Sequence, residues 1–232
     1  MVQIAGAQTF LHGLRRAVPI AIGYVPVAIT FGILGKTAGL TLWPVLGMSL
    51  LVFAGAAQFM ALSLIVAGVT AGQIVLAVFL LNLRHLLFSA NLSRKLPLLG
   101  NAAAALLAFG VTDEVFSVAT VEERLRPWYL LGLELGAWSA WSGGTLLGYL
   151  AGNLLPGELA AAFGTGLYAL FASLAVWQVR DRGGRILLVL LISAGLNTLF
   201  RIVLGIDGGW AFVLAMGLAS TAGLLSEEVS RG

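Results

Sequence analysis

The sequence predicts an all-α integral membrane protein, a polytopic helical bundle of seven to eight transmembrane segments. Three observations carry this. From Thr37 to Leu83 there are 47 residues without Asp, Glu, Lys, Arg or His. As a helix that run would be roughly 70 Å long, against a hydrocarbon core of about 30 Å. It is too long for one span and fits two, with a turn signal at Gly68-Val69-Thr70-Ala71-Gly72-Gln73. The chain is 59% hydrophobic and 10% charged, where soluble domains average about 25% charged. The apolar runs are also apolar all round, whereas strands of a membrane barrel alternate polar and apolar residues.

Charges and turn residues set the segments at 17–35, 42–68, 70–92, 97–119, 128–151, 156–179, 186–205 and 209–226. Residues 17–35 follow Arg15-Arg16 and have the polarity of a signal peptide. They lack a small-x-small cleavage site and lead into further spans, so they read as a retained first helix. Asp113 and Glu114 interrupt the fourth segment. No stretch between segments is long enough for a separate soluble domain, so residues 1–232 read as one membrane domain. A faint echo between Gly32–Ala61 and Gly148–Trp177, with Pro44 matching Pro156, suggests two related halves.

Basic residues orient the chain. His12, Arg15 and Arg16 precede the first segment, Arg124 and Arg126 the fifth, and Arg180, Arg182 and Arg185 separate the sixth and seventh. Eight spans put these clusters and the C-terminus in the cytoplasm. Arg94 and Lys95 would then face outward. Either they are an exception, or the fourth segment is a broken or re-entrant helix and the count is seven.

The fifth segment carries small residues every fourth position at Gly132, Gly136, Ala140, Gly144, Gly148 and Gly152. Steps of four hold one helix face, and small residues there let a second helix approach closely. That helix belongs either to this chain or to a second subunit.

The composition excludes several functions. There is no cysteine, and the two histidines are far apart, so thiolate chemistry, disulfides and a zinc site from these residues fall away. The net charge of +3 fits basic loops rather than nucleic-acid binding. No phosphate-binding loop, nucleophile elbow or metalloprotease helix occurs. The chain reads as a non-enzyme without metal or cofactor.

Polar residues at membrane depth are expensive and default to function. Gly55 and Gln58 lie in Ala54-Gly55-Ala56-Ala57-Gln58, where small residues permit a helix break and Gln58 offers donors and an acceptor. Asn82, Arg84 and His85 close the third segment. Arg84 can clamp a carboxylate or reach back to the interface. Asp113 and Glu114, with Glu134 behind them, can relay protons, accept an ammonium group or pair with Arg84. Asn197 and Arg201 are a weaker set.

Phe53-Ala54-Gly55-Ala56-Ala57-Gln58-Phe59, Asn82-Leu83-Arg84-His85 and Thr112-Asp113-Glu114 resemble the signature stretches of the AzlC family. The C-terminal half resembles it only in hydropathy and glycine pattern. The resemblance implies the large subunit of a branched-chain amino acid exporter in the bacterial inner (plasma) membrane, working with a small AzlD-like membrane subunit. Leucine, isoleucine, valine or similar solutes are the implied substrates. Such a solute needs a donor for its carboxylate, met by Arg84 or the amides around Gly55. It needs an acceptor for its ammonium, met by Asp113, Glu114 or Gln58, and an apolar pocket. A channel, a carrier of another small organic solute, and a scaffold subunit are the alternatives.

Overall fold

Backbone N–H and C=O groups in lipid must be satisfied within their own segment, and every regular element among the described residues is helical. The computed structural model describes residues 2–152, 176 and 184–229. All of segment 156–179 but Val176, together with Arg180 and Arg182, lies outside them, as does the second half of the internal echo apart from residues 148–152 and 176. Among the described residues, two helices, Val18–Thr37 and Ala71–Ser93, are long and apolar enough to cross a membrane. The pair Asn101–Phe109 and Asp113–Ala119 is a third candidate, bent by 113° at its break.

The described contacts divide into two compact units, residues 1–59 with 82–163 and residues 60–81 with 164–232. The first begins with α1 (Val2–Arg16) and α2 (Val18–Thr37). The stretch expected to lead into the first span as a basic approach is itself helical. Ala17 keeps helical backbone angles, and bonds from Ala17 N to Gly13 O (3.0 Å) and Ala21 N to Ala17 O (2.8 Å) carry α1 into α2. The reason is packing: Gly13 and Ala17 are buried, while Arg15 and Arg16 stay exposed.

Then come α3 (Leu42–Leu51), α4 (Gly55–Val66), α5 (Ala71–Ser93), α6 (Asn101–Phe109), α7 (Asp113–Ala119) and α8 (Pro127–Ala151). Helix α8 runs parallel to α1 and α2 through its small-residue stripe. A Cβ on Gly132 would strike Phe10 O, and one on Gly148 would strike Ile29 O. At Gly136 it would lie 2.5 Å from Ala17 Cβ, and at Gly144 2.8 Å from Ala28 Cβ. Ala140 sits half-buried between them. The helix that meets this stripe is therefore supplied by the same chain.

The second unit contains the end of α4, the first part of α5, α9 (Gly184–Thr198), a π turn at Leu199–Val203 that carries Arg201, and α10 (Gly208–Val229). Met60, Ala77 and Val213 form its buried apolar centre. Gln73 Nε2 donates to Asp207 Oδ1 at 2.7 Å, and Thr70 Oγ1 donates to Gln73 Oε1 at 2.8 Å. The Gln73 amide, helped by the Gly209 and Trp210 N–H groups and by Arg201, holds the Asp207 carboxyl below the usual carboxylate range.

Candidate functional site

The site lies in the first unit, where two apolar segments break. Between α3 and α4, Phe53 adopts φ +46°, a left-handed conformation that an aromatic side chain rarely takes. Between α6 and α7, Gly110 is closely approached: a Cβ there would lie 2.5 Å from Glu134 Cδ. The two breaks face each other, with the rings of Phe53 and Phe109 6.3 Å apart.

Contacts along α8 give the path of the first broken segment. Tyr149 of α8 donates to Leu40 O (3.0 Å), Ser49 Oγ lies 2.8 Å from Thr145 Oγ1, and Trp138 Nε1 donates to Leu50 O (3.1 Å). Helix α3 thus runs antiparallel to α8, from near its C-terminus towards its middle. The first turns of α4 turn back. Gly55 packs on the Trp141 indole, and Phe59 stacks edge-on with Phe31 at 5.3 Å, next to Gly32, which abuts Thr145 and Tyr149.

The second broken segment does the same from the other end. Lys95, just past α5, donates through Nζ to Thr120 O (2.5 Å) and Glu122 O (3.1 Å), and Leu125 N donates to Lys95 O (3.0 Å). The chain leaves at Lys95, forms α6 and α7, and returns to Lys95 just before Arg126 starts α8. Arg94 and Lys95 therefore sit at the same end as Arg124 and Arg126. Of the two alternatives for the fourth segment, the broken, re-entrant one fits.

Gln58, Ser49, Thr145 and Trp141 form a buried hydrogen-bonded set. Gln58 Nε2 donates to Ser49 Oγ (2.9 Å), Trp141 Nε1 donates to Gln58 Oε1 (3.0 Å), and Thr145 Oγ1 donates to Trp141 O (3.0 Å). Both polar atoms of Gln58 are thus occupied by neighbouring helices. The first turn of α4, Gly55 to Ala57, has no intrahelical acceptor for its N–H groups; Gln58 N is the first to bond back, to Ala54 O at 2.9 Å.

The charged residues gather at the second break. Arg84 Nη1 pairs with Asp113 Oδ1 at 3.0 Å, both side chains about a third to two-fifths exposed. Thr112 caps α7 by accepting from Val115 N at 3.3 Å. Asp113 and Glu114, in the first turn of α7, suit the positive end of a helix. Sequence reasoning missed Tyr24 of α2. Its hydroxyl donates to Glu114 Oε2 (2.5 Å) and reaches Thr112 Oγ1 (2.8 Å). One hydroxyl hydrogen serves one acceptor at a time, and Thr112 can donate in return. Its ring packs on Trp141 (5.1 Å) and Phe53 (6.4 Å). The available signal was a tyrosine inside an otherwise apolar span.

Four buried polar atoms here have no hydrogen-bond partner among the described residues: Asn82 Oδ1, Arg84 Nε, His85 Nε2 and Glu134 Oε1. Asn82, Arg84 and His85 follow one another on α5, Arg84 reaches Asp113, and Glu134 lies against Gly110. Unsatisfied buried polar atoms are uncommon in native structures and call for water, an ion or a ligand. Glu134 is 3% exposed and forms no ion pair among the described residues.

Fold and site together define a helical membrane protein with two broken helices that meet near a partly buried polar cluster. The AzlC protein family model matches residues 19–155, which contain all of this site. The chain belongs to the AzlC family. It is 34% identical to the inner membrane protein YgaZ of Escherichia coli over 88% of this chain and 87% of that one. It is 39% identical to an uncharacterized membrane protein of Archaeoglobus fulgidus over 78% of this chain and 81% of that one. The branched-chain amino acid transport protein AzlC of Bacillus subtilis is 26% identical over 62% of this chain and 58% of its own length. No solved structure matches the chain.

Proposed function

We propose that this chain is the large subunit of a secondary transporter that exports branched-chain amino acids or similar small solutes. It works as a multi-pass protein of the bacterial plasma membrane, driven by the proton motive force and assembled with a small AzlD-like membrane subunit. The carrying observation is the set of unpartnered buried polar atoms on Asn82, Arg84, His85 and Glu134, of which Arg84 meets Asp113 and Glu134 lies against Gly110 at the second helix break. The Bacillus subtilis relative's name supplies the substrate class.

In this reading Arg84, a five-donor guanidinium, exchanges Asp113 for the solute carboxylate. Asn82 Oδ1 accepts from the ammonium group. Gly55 lets α4 begin against Trp141, and Gln58 fixes that wall. Glu134, with Asp113 and Glu114, loads and releases the proton. A buried carboxyl beside a solute site ties solute movement to proton movement, because its charge has to be compensated each time the site changes occupancy.

The test is leucine counterflow in liposomes carrying this chain with and without its small partner. Arg84→Ala is expected to lower counterflow at least tenfold, and Arg84→Lys to retain part of it. Full-rate counterflow in both Arg84→Ala and Asn82→Leu would reject the binding site. Full activity of the partner alone would make this chain a scaffold.

A further inference from the structure

Resting on the transporter reading, we propose that the solute path through the first unit runs between the tips of two opposed re-entrant hairpins, and that Phe53 is the gate between them. The hairpin α3–α4 enters from the end of α8 marked by Tyr149, and α6–α7 from the end marked by Lys95 and Leu125. Each brings its break to the middle of α8, Gly55 against Trp141 and Gly110 against Glu134, and the tips touch through Phe53 and Phe109.

Two independent features single out Phe53. It is the one non-glycine residue with positive φ among the described residues, and its ring is 2% exposed, held by Phe109 and by Tyr24. A bulky residue in that conformation is strained and persists only where its surroundings impose it, typically at switches and clamps. Releasing the Phe109 contact removes part of what imposes it, so the tip has a second conformation within reach. Tyr24 links the two hairpins: its ring lies on Phe53 while its hydroxyl holds Glu114 and Thr112 at the start of α7. Loss of the Glu114 contact, when that carboxylate exchanges its partner, thus loosens the packing on Phe53.

Because the chain has no cysteine, single cysteines report directly. In sealed vesicles an impermeant thiol reagent should reach Arg94→Cys and Arg124→Cys from one side and Thr41→Cys from the other. Labelling of Arg94→Cys and Arg124→Cys from opposite sides would remove the second hairpin and overturn the proposal. For the gate, Phe109→Cys is labelled from the Thr41 side with Phe53 intact or replaced. Phe53→Gly, which tolerates positive φ and leaves the gap open, should speed that labelling at least tenfold; an unchanged rate overturns the gate. Bridging Phe53→Cys to Phe109→Cys with a short bis-thiol reagent should drop leucine counterflow to the protein-free background, with recovery on reduction. Wild-type counterflow in the bridged protein also overturns it. If wild type carries no leucine while the labelling responds as expected, the substrate reading fails and the gate stands.

Discussion

Arg84, Asp113 and Glu134 were legible one residue at a time, because a charge in an apolar segment is costly enough to stand out. Their partners were not. The Arg84–Asp113 pair joins residues on α5 and α7 whose proximity depends on the α6–α7 bend. Tyr24 gave no charge to notice, and only its position across from Glu114 gives its hydroxyl a role. Gln58 is the opposite case. Its amide stood out in sequence, and the fold surrounds it with Ser49 and Trp141. Gln58→Leu removes two interhelical hydrogen bonds and leaves Trp141 Nε1 and Ser49 Oγ to find others. At about 0.6 kcal/mol per bond on average and up to about 1.7 in membranes, the loss should be roughly 1–3 kcal/mol. It is read as a fall in the melting temperature of the detergent-solubilised protein. A Gln58→Leu variant as stable as wild type would show that this set does not hold α4 to α8.

At the scale of elements, the glycine periodicity of α8 was visible, and the identity of the helix it receives was not. Spacing states which face is small; it does not distinguish α1 and α2 from a second subunit. Helix α1 itself escaped notice because its basic residues drew attention to orientation. The pattern Phe10, Gly13, Leu14, Ala17 at helical spacing was nonetheless present. The geometry makes a sharp contrast within one helix. A methyl on Gly148 meets Ile29 O, whereas one on Gly143 meets nothing within 4 Å. Gly148→Ala is expected to cost about 1–3 kcal/mol through forced separation of the helices. Gly143→Ala should be neutral or stabilising by about 0.5–1 kcal/mol, from lost unfolded-state freedom. Melting curves of the two variants check this, and equal stability would contradict close packing on this face.

At the scale of the whole molecule, hydropathy located the apolar segments well among the described residues, because lipid imposes that pattern directly. Whether a segment crosses or turns back is decided by a few residues at a break, and hydropathy is nearly blind to them. The break at Phe53 lies inside an uncharged run, and the break at Gly110 lies just before Asp113 and Glu114, which interrupt the fourth segment. The outward signs were the small residues around Gly55, the Asp113-Glu114 interruption, and Arg94-Lys95 at the wrong end for an eight-span count, which the Lys95 bonds to Thr120 and Glu122 explain. The same folding back sets Glu134 against the second break and Arg84 beside Asp113. This arrangement makes proton-coupled export by this chain a concrete claim.

That claim is tested most directly in liposomes holding this chain and the proposed small subunit, with a pH gradient imposed and leucine efflux followed against its own gradient. Wild type should export uphill. Glu134→Gln should lose uphill export while keeping much of leucine exchange, since exchange needs the solute site and no net proton movement. Uphill, gradient-driven export that survives in Glu134→Gln, and equally in Asp113→Asn and Glu114→Gln, would contradict proton coupling through this site.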